Sequence, residues 1–163
     1  MGEANMGIEI YLDIETSWSR DLTVVGVLSK DTGLIQLVGE EITRYRLLAE
    51  LPRTGRLYTY NGHCFDLSEI RKQLGLNLRD QFDSFDLRWV CQRLGLTGGQ
   101  KAVEKRVGFR RHREDIDGIE AMNLWEDYQS GDDEALKLLL AYNAEDLVGI
   151  RAIKRYLEGR GHL

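Results

Sequence analysis

The stretch Ile8 to Ile14 (IEIYLDI) alternates apolar with polar or aromatic side chains, which is typical of a β-strand with one face on a core. Two further β-rich runs follow, at Leu22 to Leu28 (LTVVGVL) and Leu34 to Val38 (LIQLV). Between them, residues 30–33 (KDTG) supply the Asp and Gly that favour a tight hairpin. We therefore predict three consecutive strands, of which the second and third are antiparallel neighbours.

The rest of the chain alternates helix and strand patterns before it becomes helical. Two more strands are predicted at Leu57 to Tyr60 and near 81–85, and helices at 40–50, 67–74 and 86–94. From Gly98 onward, apolar residues recur at 3- and 4-residue intervals, which predicts helical structure throughout this part. The order of elements predicts an α/β fold with a five-stranded mixed sheet flanked by helices.

Composition limits the class of protein. With 163 residues and 42% hydrophobic content, the chain can bury one core, and we expect a single domain over residues 1–163. No apolar run has the length of a signal peptide or a transmembrane helix, so we expect a soluble, cytoplasmic protein without a membrane partner. Cys64 and Cys91 lack neighbours at zinc-site spacing and are expected as reduced thiols in the core.

Two carboxylates interrupt the first predicted strand. Asp13 and Glu15 are two positions apart, so both side chains leave the same face of the sheet, whereas Leu12 and Ile14 point to the opposite face. Like charges held this close repel each other, and a divalent cation would remove that conflict. The alternative is a solvated strand end where acidic residues alternate by chance.

A second acidic position follows the fourth predicted strand. The run 61–66 (NGHCFD) leads directly into a helix, so Asp66 is predicted to be its N-cap. The same position lies at the edge of the sheet where open α/β folds bind ligands, and both roles can coexist. His63 has no second histidine nearby, and we predict a loop residue close to substrate rather than a zinc ligand.

A third polar cluster lies on the predicted last helix. Tyr142 and Asp146 are four residues apart and therefore share one face, although a tyrosine at this spacing is equally expected in the core. Glu145 lies about 100° around the helix from Asp146 and is predicted to face solvent. Asp132 and Asp133 are expected to cap the start of this helix.

Together these features resemble a known family. Asp-x-Glu on a first strand, Asn-x-x-x-Phe-Asp before a helix and Tyr-x-x-x-Asp on a late helix are similar to the three motifs of DEDD 3′-5′ exonucleases. The similarity is to the tyrosine subclass, which has a ribonuclease H-like fold. The segments that look most like YprB-type ribonuclease H-like domains are 60–66 (YNGHCFD), 99–105 (GQKAVEK) and 141–148 (AYNAEDLV). The resemblance covers about residues 8–157, but Ala141 stands where other subclass members have a histidine.

The resemblance implies a site for two divalent ions, Mg²⁺ or Mn²⁺. Asp13 would bridge both ions, Glu15 and Asp146 would help hold the ion on the nucleophile side, and Asp66 would support the other through water. Tyr142 would orient the attacking water, because a phenol with a pKa near 10 is a poor base at pH 7. All five residues are thus candidate catalytic residues.

Substrate contact is predicted partly from a local excess of cations. The net charge of -5 does not indicate a nucleic-acid partner, but residues 101–113 contain six Lys and Arg residues and only one acid, Glu104. These cations could grip phosphates while Phe109 or Trp18 stacks on a base. The alternatives are a solvated basic face and, for Trp18, a core or loop-anchor role. The candidate substrate contacts are Thr16, Asn61, His63, Phe65, Lys101, Phe109, Arg110 and Arg111.

Three functions are compatible with these observations. A metal-dependent 3′-5′ exonuclease acting on DNA or RNA ends is the leading hypothesis. The alternatives are an endonuclease on the same fold and a non-catalytic nucleic-acid-binding domain. A binding module has no need for four converging carboxylates, and the sequence does not distinguish DNA from RNA.

Overall fold

The computed structural model describes residues 7–163 and contains a five-stranded mixed sheet. The strands are β1 (Glu9–Thr16), β2 (Leu22–Ser29), β3 (Gly33–Val38), β4 (Arg56–Thr59) and β5 (Asp83–Asp86). Their order across the sheet is β3-β2-β1-β4-β5. The first three strands pair antiparallel, whereas β1, β4 and β5 pair parallel. The predicted fold class and the β2-β3 hairpin are therefore confirmed.

Helices flank this sheet. They are a 3₁₀ turn (Gly39–Glu41), α1 (Arg44–Glu50), α2 (Asp66–Leu74), α3 (Leu78–Gln81), α4 (Leu87–Arg93), α5 (Gln100–Arg106), α6 (Gly118–Gln129) and α7 (Asp133–Gly159). Asp132 begins α7 as predicted, because its side chain accepts hydrogen bonds from the backbone amides of Glu134 and Ala135. Within residues 7–163, no helix is both long and apolar enough to cross a membrane.

The prediction of continuous helix after Gly98 is wrong for residues 107–117. This segment, which we call the connecting loop, joins α5 to α6 without helical structure. It leaves the helical path at Gly108, whose φ of 89° lies in the left-handed region that glycine adopts without strain. Asp117 then starts α6 by accepting a hydrogen bond from the backbone amide of Glu120.

The two faces of β1 meet different surroundings. Leu12 and Ile14 are buried in an apolar cluster that includes Leu47 of α1 and Ile70 of α2. The alternate residues face α7, where Tyr11 packs in a cluster with apolar residues of that helix. The predicted division of β1 into an apolar face and a carboxylate face is confirmed by this packing.

The sheet opens beside β1 at the point where the carboxylates begin. The parallel pairing of β1 with β4 ends at Tyr11 and Tyr58, so the later residues of β1 have no β4 neighbour. On the other side, Asp13 pairs with Gly26 of β2. A Cβ atom on Gly26 would lie 2.1 Å from Oδ1 of Asn143, so glycine is required for this close approach of α7.

The two cysteines have different environments. Cys91 is buried in α4, as predicted, and forms no disulfide. Cys64 is exposed, so the expectation that it lies in the core is wrong. It belongs to the turn between β4 and α2, where the neighbouring Asp66 is the residue directed inward.

Candidate metal centre

Three carboxylates from distant parts of the chain converge at the open end of β1. Asp13 and Glu15 project from β1, and Asp146 projects from the middle of α7. Each of these side chains offers a carboxylate oxygen, and these oxygens all lie within 4.8 Å of one another. Asp13 is partly buried, whereas Glu15 and Asp146 are each only 8% exposed. Such spacing allows the three carboxylates to share one cation.

Asp66 lies beside this group but uses its side chain differently from the prediction. Phe65 occupies the N-cap position, Asp66 is the first residue of α2, and the predicted capping role of Asp66 is therefore wrong. Instead, Asp66 Oδ1 accepts a hydrogen bond of 3.0 Å from the backbone amide of Ile14. That amide is available because β1 has separated from β4, and a buried amide needs an acceptor. Asp66 is therefore tied to β1 between Asp13 and Glu15.

The electrostatics of the cluster favour a cation. Burial, together with the charge on Asp146, raises the pKa values of Asp13 and Glu15 well above their usual range. Burial also raises the pKa of Asp66 to about 7 and that of Asp146 to about 6. In addition, Glu15 Oε1 is buried without a hydrogen-bond partner among residues 7–163. These hard oxygen donors, one of them buried without a partner, fit a hard divalent cation.

A buried amide orients Asp13. The Asn143 side chain, from α7, is fully buried and donates a 2.9 Å hydrogen bond from Nδ2 to Asp13 Oδ2. Its own Oδ1 accepts a 3.0 Å hydrogen bond from Nε2 of Gln36 on β3, which fixes the amide. Sequence reasoning missed this role of Asn143. The available signal was an amide at a core-facing position of a helix that is otherwise apolar there.

Tyr142 borders the carboxylates and is enclosed by cations. Its residue surface is 8% exposed, and its ring lies 5.1 Å from Lys101 Nζ and 5.7 Å from Arg111 Cζ. Burial and the charge on Asp146 raise the pKa of Tyr142 above its ordinary value. The phenol therefore keeps its proton at neutral pH and can position a ligand by hydrogen bonding.

The basic segment divides into buried and exposed cations. Arg110 and Arg113 are exposed, whereas the Arg111 side chain is 4% exposed and forms an ion pair with Asp146. Glu145 was predicted to face solvent, but it is partly buried because its carboxylate accepts a hydrogen bond from the backbone amide of His112. That contact fastens the connecting loop to α7.

Asn61 and His63 are held in the turn after β4 by a buried carboxylate. Asp86 accepts hydrogen bonds from the backbone amides of Asn61 (2.7 Å) and His63 (3.2 Å). The Asn61 side chain accepts a 2.7 Å hydrogen bond from Arg88, and His63 Nε2 lies 2.9 Å from Ser84 Oγ. Asp86 thus shapes the turn that leads to Asp66, a role that its place at the end of a short strand did not reveal.

Two clefts adjoin the site. The first has a volume of about 630 Å³ and includes Glu15, Thr16, Trp18, Phe65, Ile119 and Met122 in its lining. Trp18 is 55% exposed there, which excludes the core role considered for it. The second has a volume of about 300 Å³ and includes Phe109, Arg110, His112, Arg113, Tyr142 and Val148 in its lining. Aromatic and cationic side chains predicted to contact substrate therefore line clefts beside the carboxylates.

A mixed sheet in the order β3-β2-β1-β4-β5, with carboxylates on β1 and on the long last helix, defines a ribonuclease H-like domain. Comparison with family models agrees with this class. The model RNase_H_2, of the RNase_H superfamily, matches residues 10–158, and the chain belongs to this family. The comparison with curated proteins found no match.

Two solved structures are similar to the chain. One is a family B DNA polymerase from the hyperthermophilic archaeon Pyrobaculum calidifontis, with a TM-score of 0.71 and 19% sequence identity. The match covers 93% of this chain but only 24% of the polymerase chain. The other is the EXD2 exonuclease domain soaked in Mn and GMP, with a TM-score of 0.38 and 17% identity over 93% of this chain and 82% of that one. The polymerase match supports the fold, and the assignment to the YprB-type subclass stays a prediction.

Proposed function

We propose that this chain is a metal-dependent nuclease that removes nucleotides from the 3′ ends of single-stranded DNA or RNA. The observation that carries the proposal is the convergence of Asp13, Glu15 and Asp146, with Asp66 tied to the same strand. A buried group of acids costs stability unless a cation neutralises it. Such a buried group of acids is therefore expected in a protein that binds metal ions at this position.

Each residue of the site has a proposed task. Two divalent ions, when bound, supply water activation and stabilisation of the leaving oxygen. Asp13, Glu15 and Asp146 would hold the ions directly, and Asp66, which is tied to the same strand, would support them. Tyr142 keeps its proton and orients the attacking water from the neighbouring turn of α7.

The clefts support a nucleic-acid substrate. In the first cleft, the exposed ring of Trp18 and the side chain of Phe65 offer apolar surface to a base, and Thr16 offers a hydroxyl. In the second, Phe109 and Arg110 combine a ring with a cation, as a base and its phosphate require. Lys101, Asn61 and His63 are the remaining proposed substrate contacts, whereas Arg111, which was also predicted to be one, is buried beside Asp146.

Endonuclease cleavage at the same site is the second candidate. Two separate clefts adjoin the centre, one at Glu15 and one at Tyr142. A strand that occupied both clefts would continue past the carboxylates rather than end there. The proposed exonuclease differs in requiring a free 3′ end.

Product analysis tests the proposal. Oligonucleotides of DNA and RNA, single-stranded or with recessed duplex ends, would carry a label at the 5′ or the 3′ end and be incubated with Mg²⁺ or Mn²⁺. We expect mononucleotides from the 3′-labelled strand and a ladder of shortening products from the 5′-labelled strand. Internal fragments from a circular single strand would favour the endonuclease.

Two controls accompany this assay. EDTA should abolish cleavage, and the Asp146→Asn variant should remain folded but inactive, which excludes a contaminating nuclease. Binding of the oligonucleotides without cleavage under any metal condition would identify a non-catalytic binding domain and overturn the proposal.

A further inference from the structure

Arg111 stands apart from the other cations of the connecting loop. Its side chain is 4% exposed, although the neighbouring Arg110 is exposed. Nε of Arg111 donates a 2.6 Å hydrogen bond to Glu104 Oε2, and Nη2 donates a 2.8 Å hydrogen bond to Glu104 Oε1. The same Nη2 also donates to Asp146 Oδ1. One guanidinium thus joins a carboxylate of α5 to a carboxylate of the candidate metal centre.

Glu104 is itself held firmly against α7. Its side chain is 1% exposed, and its Oε1 accepts a 2.7 Å hydrogen bond from Gln100 Nε2. The same Gln100 nitrogen donates to the backbone oxygen of Asp146 at 2.8 Å. A Cβ atom at Gly149 would lie 1.9 Å from Glu104 Oε1, so α7 admits this carboxylate only because residue 149 is glycine.

We propose that Glu104 and Arg111 form a brace that positions the Asp146 carboxylate for metal binding. The inference deepens the proposed function and rests on it. The planar guanidinium can hold Glu104 at two points while it bonds to Asp146, so it fixes the rotation of the Asp146 carboxylate as well as neutralising its charge. Arg111 is then a positioning residue, which acts on the reaction through Asp146.

This role competes with the prediction that Arg111 contacts substrate. Two of its three nitrogens already serve carboxylates, and the side chain offers almost no surface to a phosphate. Nη1 is buried without a partner in the described part of the chain, and it is the one donor left for a substrate. The two roles predict changes in different measurements. Loss of a brace should weaken metal binding, whereas loss of a phosphate contact should reduce the salt dependence of nucleic-acid binding.

The test compares Arg111→Lys with the wild type and with Arg155→Lys, an exchange at an exposed position of the same helix that carries Asp146. Lysine retains the charge but cannot form the planar fork. Mn²⁺ affinity is measured by titration calorimetry, and turnover is measured as a function of Mn²⁺ concentration. We expect Arg111→Lys to bind Mn²⁺ about 10-fold to 100-fold more weakly and to recover part of its turnover in excess Mn²⁺. Arg155→Lys should match the wild type in both.

Oligonucleotide binding in saturating Ca²⁺ supplies the second measurement. For a brace, the plot of log affinity against log salt keeps the wild-type slope in both Arg111→Lys and Arg111→Gln. For Arg111→Gln, which removes the charge, a phosphate contact would instead flatten the slope by about 0.7. A flattened slope with unchanged Mn²⁺ affinity would overturn the brace and establish Arg111 as a substrate contact.

Glu104→Gln provides a second variant of nearly the same side-chain volume if Arg111→Lys does not fold, as judged by circular dichroism. It removes the charge that holds the fork in place, and we expect the same direction of change in Mn²⁺ affinity. Wild-type Mn²⁺ affinity in the folded variants would overturn the inference. A wild-type protein that binds Mn²⁺ but cleaves nothing would overturn the nuclease proposal alone, whereas one that binds no Mn²⁺ would overturn both.

Discussion

The two faces of β1 are made by alternate residues of one strand, yet they have opposite effects on the stability of the protein. Leu12 and Ile14 lie in a sealed apolar cluster with α1 and α2. Asp13 and Glu15, their immediate neighbours, lie close to Asp146 of α7 and form an acidic group with it. The apolar face contributes stability, whereas the carboxylate face reduces it until a cation arrives. Adjacent substitutions on this strand should therefore change different properties of the protein.

The largest expected effect is on the carboxylate face. Asp13→Asn keeps the side-chain volume but removes a ligand charge, so hydrolysis should fall by about 1000-fold or more. The metal-free variant should melt at a higher temperature than the metal-free wild type, because a source of repulsion is gone. Initial rates and thermal melts in EDTA measure the two changes. Turnover near that of the wild type would contradict the proposed site.

The matching substitution on the apolar face is Leu12→Ala. Leu12 is 0% exposed, and the cavity left by its truncation should lower the free energy of unfolding by about 2–5 kcal/mol. Its side chain points away from the carboxylates, so the turnover of the folded fraction should stay close to that of the wild type. Urea denaturation and rates below the unfolding transition provide the measurements. A loss of turnover as large as that of Asp13→Asn would show that the faces are not independent.

A smaller effect is expected beside the carboxylates. Tyr142→Phe keeps the ring between Lys101 and Arg111 and removes only the hydroxyl. If the phenol orients water, turnover should fall by about 10-fold, the equivalent of one hydrogen bond to a charged or reacting group. Mn²⁺ affinity and oligonucleotide affinity should not change. A variant as fast as the wild type would reduce Tyr142 to a packing residue.

The smallest expected effect is on the pH dependence of stability, to which only the carboxylate side of β1 contributes. Burial raises the pKa of Asp66 to about 7, so the folded protein binds a proton more tightly than the unfolded chain does. Asp66 therefore makes its full contribution to the free energy of unfolding below the pKa of the unfolded chain, about 4. This contribution is lost as the pH rises through about 7. Metal-free wild type should thus lose about 1 kcal/mol or more between pH 5 and 8, equal to about 2–4 °C in Tm.

Asp66→Asn is the control for that experiment, because an amide does not titrate. The decrease in Tm between pH 5 and 8 should be smaller in Asp66→Asn than in the wild type, both in EDTA. Mn²⁺ added at pH 8 should raise the Tm of the wild type. An equal decrease in both proteins would assign the pH dependence to other groups.

Periodicity carried the sequence-based prediction a long way, because strand alternation and helical spacing are local properties. The strands, the hairpin and the opposite directions of Leu12 and Asp13 all follow from residues close together in the chain. What local patterns do not contain is the partner of a polar side chain. Asp66 looked like a helix cap because it precedes a helix, but its acceptor role depends on an amide of β1 that is 52 residues away.

The connecting loop exposes the same limit. The spacing of apolar residues predicted a helix there, because that spacing gives no sign that the chain leaves the helical path at Gly108. Arg111 appeared as one cation among six, and only the fold distinguishes it by burying its side chain between Glu104 and Asp146. Asn143 matched the core-facing spacing of α7. The role of its amide becomes visible only in the fold, where it packs closely against Gly26 of β2.

The hydrogen bond between Asn143 and Asp13 joins residues that are 130 positions apart in the chain. Loop closure of this length is slow compared with local pairing, so the hairpin and sheet can form before α7 docks over Gly26. During synthesis, a ribosome-bound chain that lacks α7 already holds Asp13 and Glu15 but has no partner for them. If the chain is the nuclease proposed above, it should therefore stay inactive until α7 has docked and brought Asp146 to Asp13 and Glu15.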